Sequence, residues 1–302
     1  MNRRTTSSLL GFALAAALSS AVTAQGRFDN VQIKTVKVSQ NVYMLVGSGG
    51  NIGLSIGEDG AFVIDDQYKE LSEKILSAIK EITDEPVRFI VNTHWHGDHI
   101  GGNKNMAKVG AIIVAHENVR KRMSTEQFMA AFNRRVPASP EGALPVVTFT
   151  DAMTLHWNGD DVHVFHVEPA HTDGDSIIHF RHANVLHMGD TFFKGAYPFI
   201  DVSSGGSIDG VIAAADTALK LCNDQTKIIP GHGELAGADD LRAYRAVLQA
   251  VRDRVRSLVN AGKTREEVIA AKPSAEFDAE WGGGFMKPDR WIGIVYDGMT
   301  KN

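Results

Sequence analysis

Residues 31–38, Val-Gln-Ile-Lys-Thr-Val-Lys-Val, alternate apolar and polar side chains, and further apolar runs follow turn residues at 42–46, 52–56 and 61–64. A period of two is that of a strand with one buried face, so this stretch predicts four strands. At Tyr68 the period lengthens: Leu71, Ile75, Ala78, Ile79 and Ile82 share one face of a helix over residues 68–82. A second helix is predicted over about residues 116–132, and residues 134–145, rich in Pro, Ala and Ser, read as a loop. Strands return at 146–149, 162–167, 176–180 and 184–188, then a helix at 208–221 and a short strand at 227–229. The last clear helix spans about 239–260, with Leu241, Tyr244, Leu248, Val251, Val255 and Leu258 as its stripe and Gly262 at its stop. Strand clusters mixed with helices, without strict βαβ alternation, predict an α/β (α+β) chain with sheets packed inside helices.

The N-terminus has a different pattern. Arg3 and Arg4 precede an apolar run from Leu9 to Leu18, and Val22-Thr23-Ala24 offers small residues for cleavage after Ala24. That is the grammar of a secretory signal peptide, and it is shorter than the roughly 20 apolar residues a bilayer span requires. The expectation is a signal peptide at 1–24 and a single domain at 25–302 with a C-terminal helical extension from about 239. The mature chain would be periplasmic or secreted, with no stable membrane insertion. Asn2-Arg3-Arg4-Thr5-Thr6 leaves both the general and the twin-arginine route open.

Residues 1–24 hold two arginines and no acid, so their removal takes the formal charge from −5 to −7. An acidic surface excludes nucleic acid as a partner, since that needs clustered Lys and Arg, and leaves a small-molecule substrate. Cys222 is the only cysteine; no intrachain disulfide is possible, and its place at a helix end reads as a structural thiol. Nothing in the chain indicates an oligomeric state.

The chemistry is concentrated in Thr93-His94-Trp95-His96-Gly97-Asp98-His99, directly after the apolar run at 87–91. Imidazole and carboxylate are zinc ligands. On an extended segment His94, His96 and Asp98 point one way, and a turn at Gly97-Asp98 brings His99 to the same cavity, so six residues can serve two metals. Three more apolar runs end in Gly-containing loops with a ligand: His171 in Glu168-Pro169-Ala170-His171-Thr172-Asp173-Gly174-Asp175, Asp190 after Gly189, and His232 after Gly231. Loops held by a rigid sheet are the usual place for functional groups. His116, His156, His163, His166, His179, His182 and His187 lack that placement and are expected as surface or hydrogen-bonded residues. Gly47 to Gly53 precedes a strand and lacks a Gly-Lys-Ser/Thr ending, which predicts a hairpin turn instead of a phosphate loop.

His94-x-His96-x-Asp98-His99 followed by His171, Asp190 and His232 resembles the ligand set of the metallo-β-lactamase superfamily, over about residues 31–260. The resemblance implies an αββα sandwich of two mixed β-sheets flanked by helices, with two Zn2+ per chain, iron or manganese being alternatives. It implies that His94, His96 and His171 hold one metal, that Asp98, His99 and His232 hold the other, and that Asp190 bridges them. A hydroxide shared by the metals would attack a carbonyl, with Asp98 also orienting it. Two zinc ions less Asp98, Asp190 and the hydroxide leave a weakly positive site, suited to an anionic tetrahedral intermediate. The resemblance also implies that the early hairpin overhangs the site.

Lactamases with a cysteine ligand carry it where this chain has Asp190, and they lack His99. The full set most resembles glyoxalase II-like thioesterases and lactonases. Export disfavours hydroxyacyl-glutathione hydrolysis, and no glutathione-binding basic set is identifiable after His232. The expected function is an exported di-zinc hydrolase of a β-lactam- or lactone-like cyclic amide or ester. The alternatives are a glyoxalase II-type thioesterase and a persulfide dioxygenase with one iron on His94, His171 and Asp190. Trp95, Phe193, Lys194 and Tyr197 stand close in sequence to ligands and are the candidate substrate-binding residues, Lys194 for a carboxylate.

Overall fold

The computed structural model describes residues 26–301, so the signal peptide expected at 1–24 lies outside the described residues. The chain divides at Gln32. Residues 26–32 form a turn in which the Val31 N–H donates to the Phe28 carbonyl at 3.1 Å, and a second unit runs from Ile33 onward.

Two mixed sheets make the body of that second unit. Strands β1 (Lys34–Lys37), β2 (Val42–Val46), β3 (Ile52–Ser55), β4 (Ala61–Ile64), β5 (Val87–Asn92) and β6 (Ile112–His116) lie side by side in chain order. A separate hairpin, β7 (Gln127–Met129) and β8 (Arg134–Val136), follows, and β9 (Val147–Phe149) returns to the edge beside β6. The first three pairings are antiparallel and those from β4 to β9 are parallel. The second sheet runs β10 (Ala152–Trp157), β11 (Asp160–His166), β12 (Ser176–Phe180), β13 (Val185–His187), β14 (Lys227–Ile229) and β15 (Ala236–Gly237). Only the β13–β14 pair in it is parallel.

Strand alternation decides what lies between the sheets. Val42, Met44, Phe62, Ile64, Val91 and Val114 of the first meet Val162, Val164, Ile178, Phe180, Val185 and Ile229 of the second in one buried cluster. Phe62 and Phe180 cross edge-on at 6.1 Å. Burying a side chain of this size stabilises by about 1.5–3 kcal/mol, which is why the two inner faces hold the layers together.

The helices in chain order are α1 (Ser72–Lys80), α2 (Gly97–Ile100), α3 (Asn103–Lys108), α4 (Glu117–Met123), α5 (Ile208–Leu221), α6 (Ala238–Asn260), α7 (Arg265–Ala270), α8 (Asp278–Trp281) and α9 (Pro288–Thr300). α3 packs on β5 and β6, and α4 on β6 and β9. On the second sheet's outer face Ile177, Leu186 and Ile228 join a cluster with Val211 and Ala215 of α5, Leu241, Tyr244 and Leu248 of α6 and Trp291 of α9. The result is the αββα arrangement, two mixed sheets between helices.

Several predicted elements change length or kind. The helix expected over 116–132 stops at Met123, because the Ser124 and Thr125 hydroxyls turn back onto the Arg120 and Lys121 carbonyls. Residues 127–136, read as helix end and loop, are instead the β7–β8 hairpin, with Asn133 in the left-handed region at φ 46°. β6 and β10 were not predicted, although β10 alternates exposed and half-buried positions along its length. Beyond α6 the chain adds three helices: Thr264 caps α7 in a reciprocal box with Glu267, and Pro288 starts α9 where its missing N–H costs nothing.

Candidate metal centre

All of the predicted donors lie just past strand ends. β5 runs into His94–His99, the β11–β12 connection carries His171, and β13 and β14 deliver Asp190 and His232. The Ser176 N–H donates to the Thr93 carbonyl at 2.9 Å, tying the second sheet to the first at this point. His94, His96, His171 and Asp190 form one group and Asp98, His99 and His232 another, the donor atoms of each within 4.8 Å of one another. Asp190 faces both groups. Its Oδ2 lies 3.8 Å from His94 Nε2 and 3.5 Å from His171 Nε2, while its Oδ1 lies 3.0 Å from His99 Nε2 and 3.4 Å from His232 Nε2. Asp98 Oδ2 stands 3.9 Å from His99 Nε2 and 3.6 Å from His232 Nε2.

The outer hydrogen bonds decide which ring nitrogen faces inward. His171 Nδ1 lies 2.7 Å from the Phe199 carbonyl, which can only accept, so Nδ1 carries the proton and Nε2 presents a lone pair. His96 Nε2 donates to Asp201 Oδ2 at 3.0 Å, leaving its Nδ1 bare. These two bare nitrogens face each other at 2.8 Å, an arrangement that repels unless a cation lies against both. His99 Nδ1 donates to Asp65 Oδ2 at 2.7 Å. Thr93 Oγ1 donates to the same oxygen at 2.7 Å and so accepts from His94 Nδ1 at 3.0 Å. His94 Nε2, His99 Nε2 and Asp190 Oδ1 are buried with no hydrogen-bond partner. Inward lone pairs and an orphaned carboxylate oxygen are the donor set a divalent metal fits.

Electrostatics agree. Burial alone would raise the Asp190 pKa, but the rings of His99, His232, His94 and His171 outweigh it and hold the carboxyl well below its usual range. Burial lowers His171 to about 4, keeping that ring neutral as a ligand must be. His99 is the exception: its burial is outweighed by Asp190, Asp65 and Asp98, which raise its pKa, so a metal at that ring has to displace the proton those carboxylates favour.

Asp65 and Asp201, absent from the sequence-predicted set, orient the ligands. Asp65 is fully buried, with φ 61°, and also accepts the Thr93 N–H at 2.8 Å, so one carboxylate steadies His94 and His99 together. Asp201 serves His96 and is itself held by the Ser204 hydroxyl at 2.6 Å. Asp175 accepts from the His171 and Thr172 N–H groups at 2.6 and 2.8 Å and shapes the His171 loop; burial pushes its pKa up to about 7. Loss of such outer partners weakens metal retention about 10- to 100-fold. Asp201→Ala is therefore expected to weaken one metal position and Asp65→Ala both, read by titration with a coloured chelator. Retention unchanged in both variants would mean that other contacts orient the rings.

The four candidate substrate residues separate in space. Phe193 lies beside the centre, stacked on His232 at 4.9 Å. Trp95 is 3 % exposed, donates its indole N–H to Ser204 Oγ, and walls a cavity of about 400 Å³ shared with Gly97, Ile100, Lys104, Arg122 and Pro140. The Lys194 and Tyr197 side chains, expected at the substrate, are held elsewhere. The Lys194 ammonium is engaged by the Leu235 carbonyl at 3.0 Å and Asp240 at 3.3 Å. Tyr197 is a core residue, stacked on Trp291 at 4.1 Å with its hydroxyl donating to Asp278. Of the other histidines, His116 and His166 stack on each other at 3.9 Å, and buried His187 donates to the Asn51 carbonyl at 3.1 Å. Asn51 in turn donates to the Pro230 and Gly233 carbonyls and steadies the His232 loop.

The β2–β3 hairpin does overhang the centre. The Gly50 N–H donates to the Asp98 carbonyl at 3.1 Å, and a side chain at Gly50 would collide with the His99 ring. Glycine there is required by close approach. Cys222 is half-buried, its thiol donating to the Ala218 carbonyl.

Comparison with known proteins gives a family. The model of the metallo-β-lactamase superfamily matches residues 39–232, more than half of the chain. Among curated relatives, a hydroxyacylglutathione hydrolase of Pelagibacter ubique is 25% identical over 51% of this chain and 56% of its own. A linear primary-alkylsulfatase of a Pseudomonas species is 22% identical over 70% of this chain and 47% of its own. The chain thus spans about half the length of these relatives. Among solved structures, a metallo-β-lactamase from Pontibacter korlensis superposes with a TM-score of 0.60 at 21% identity, over 72% of this chain and 99% of that one. A stereoselective inverting sec-alkylsulfatase from a Pseudomonas species gives 0.66 at 18% identity, over 88% and 50%. At these identities the structural likeness speaks for the fold alone.

Proposed function

The chain belongs to the metallo-β-lactamase superfamily, and on that footing we propose that it is an exported di-zinc hydrolase of a lactone, lactam or related ester. Membership and the gathered His and Asp side chains support a metal-dependent hydrolase. The observation that carries the finer reading is Asp190, whose two oxygens face two separate groups of imidazoles. We assign His94, His96 and His171 to one zinc, Asp98, His99 and His232 to the other, and Asp190 to both. Two such ions, when bound, polarise a carbonyl and make water nucleophilic at neutral pH. The rest falls to the chain. Asp98, a quarter exposed beside His232, is placed to accept a hydrogen bond from the attacking water and orient it. Phe193, stacked on His232, excludes bulk water from one wall. Export rests on the basic, apolar and small-residue order of residues 1–24.

The hydroxyacylglutathione hydrolases among the relatives favour a thioester as the second reading. Against it, Arg242, Arg245, Arg252, Arg254 and Arg256 of α6 are each paired with a carboxylate, leaving no free basic set there for glutathione. The test is metal analysis of the mature protein with a panel of penicillins, carbapenems, homoserine lactones, aryl esters and S-lactoylglutathione. About two zinc per chain and turnover of a lactam, lactone or aryl ester is the expected result. S-lactoylglutathione as sole substrate would select the thioesterase. One iron per chain with oxygen uptake on a persulfide would overturn hydrolysis.

A further inference from the structure

A row of aromatic rings leads from the candidate metal centre to the surface. The Phe199 ring lies 5.7 Å from His96 and 5.6 Å from His171. Phe132 follows at 4.9 Å from Phe199, and Phe285 at 5.7 Å from Phe132. Phe285 is 68 % exposed, while its neighbour Met286 is fully buried, so the backbone is anchored with the phenyl group turned to solvent. Arg290 caps the row, its guanidinium 4.6 Å over the Phe132 ring and donating to the Ala131 carbonyl. Phe199 is buried and Phe132 half-buried, so the open apolar area is at Phe132 and Phe285, and an apolar ligand group laid over those two rings would remove it from water, which is the driving force for occupying it.

The row is also joined to the ligands by hydrogen bonds. Phe132 sits in the β7–β8 connection, where the Ala130 N–H donates to Ser203 Oγ at 3.2 Å. The Ser203 hydroxyl donates to Asp201 Oδ1, and Asp201 Oδ2 holds His96. The carboxylate that orients a metal ligand therefore also sets where the aromatic row begins.

We propose that Phe132 and Phe285, backed by buried Phe199, form a recognition track for a hydrocarbon or aryl chain of the substrate. The substrate class is then an ester or lactone bearing an extended apolar group, a specification that rests on the hydrolase reading above. Phe285 is exposed, so its replacement leaves the fold intact. The measurement is kcat/KM of the zinc-loaded protein on p-nitrophenyl esters from acetate to decanoate. In the wild type the decanoate-to-acetate ratio is expected to exceed about tenfold, given the gain per buried methylene. Phe285→Ala and Phe132→Ala are each expected to cut that ratio about 5- to 10-fold through KM, and Phe132→Leu to restore most of it. A flat wild-type series, or equal loss on acetate and decanoate, would overturn the track. A second arm needs no turnover: calorimetric binding of decanoate and of acetate to the zinc-loaded protein. Decanoate bound more tightly than acetate in the wild type but not in Phe285→Ala would sustain the track even if no ester were hydrolysed, and the hydrolase reading alone would fall. Equal binding of the two acids would overturn the track by itself.

Discussion

Asp190→Ala is expected to reduce bound metal from about two ions per chain to one or fewer and to lower kcat/KM at least about a thousandfold. The reason is its position. The carboxyl group is 5 % exposed and is held ionised by four surrounding imidazoles. Without it the two groups lose their common anion, and Asp98 is the one carboxylate of the assigned set left to balance two divalent charges. The fold is expected to survive, because the facing ring atoms are held from outside by Asp65, Asp201 and the Phe199 carbonyl. Elemental analysis after dialysis, kinetics on the best substrate and a thermal unfolding curve check all three parts. Two ions and wild-type turnover in this variant would remove Asp190 from the centre.

The second large effect is expected at Asp98→Asn, a loss of about a hundred- to a thousandfold in kcat/KM with the secondary structure unchanged. Asp98 is a quarter exposed in the first turn of α2, so the near-isosteric amide leaves packing untouched. What it removes is a negative charge 3.6 Å from His232 Nε2 and the oxygen proposed to orient water. His171→Ala is expected to silence the enzyme from the other group, since that ring is fully buried between His96 and Phe199. If either variant, fully metal-loaded, turned over substrate at near the wild-type rate, the assigned site would be wrong.

The strands and the gathering of the His and Asp side chains were legible for the same reason. An apolar run ends where the chain must turn, and after four such runs this sequence places His or Asp in a glycine-containing loop. Residues 42–46, 61–64 and 227–229 form strands over the predicted range. Reading by proximity in sequence failed at Lys194 and Tyr197. The backbone stays beside the centre, but the two side chains turn away from it, one to Asp240 and the other against Trp291. Asp65 carried a weak signal, an Asp-Asp pair directly after the strand at 61–64, but no motif distinguished it from a turn residue. The helix expected over 116–132 failed because side-chain hydroxyls at 124 and 125 compete for backbone carbonyls, a local effect that periodicity does not register.

By itself the sequence determined which residue types gather at the centre, in what order, and at strand ends of a sheet protein. Metal ligation demands particular side chains, and particular side chains are what a sequence records. Only the tertiary structure decided which nitrogen of each ring faces inward, that Asp190 stands between two groups, and that an aromatic row leads outward from one of them. Those depend on contacts between distant segments, such as His96 with Asp201 across 105 residues and Phe132 with Phe285, whose proximity arises only when the sheets and the C-terminal helices have packed.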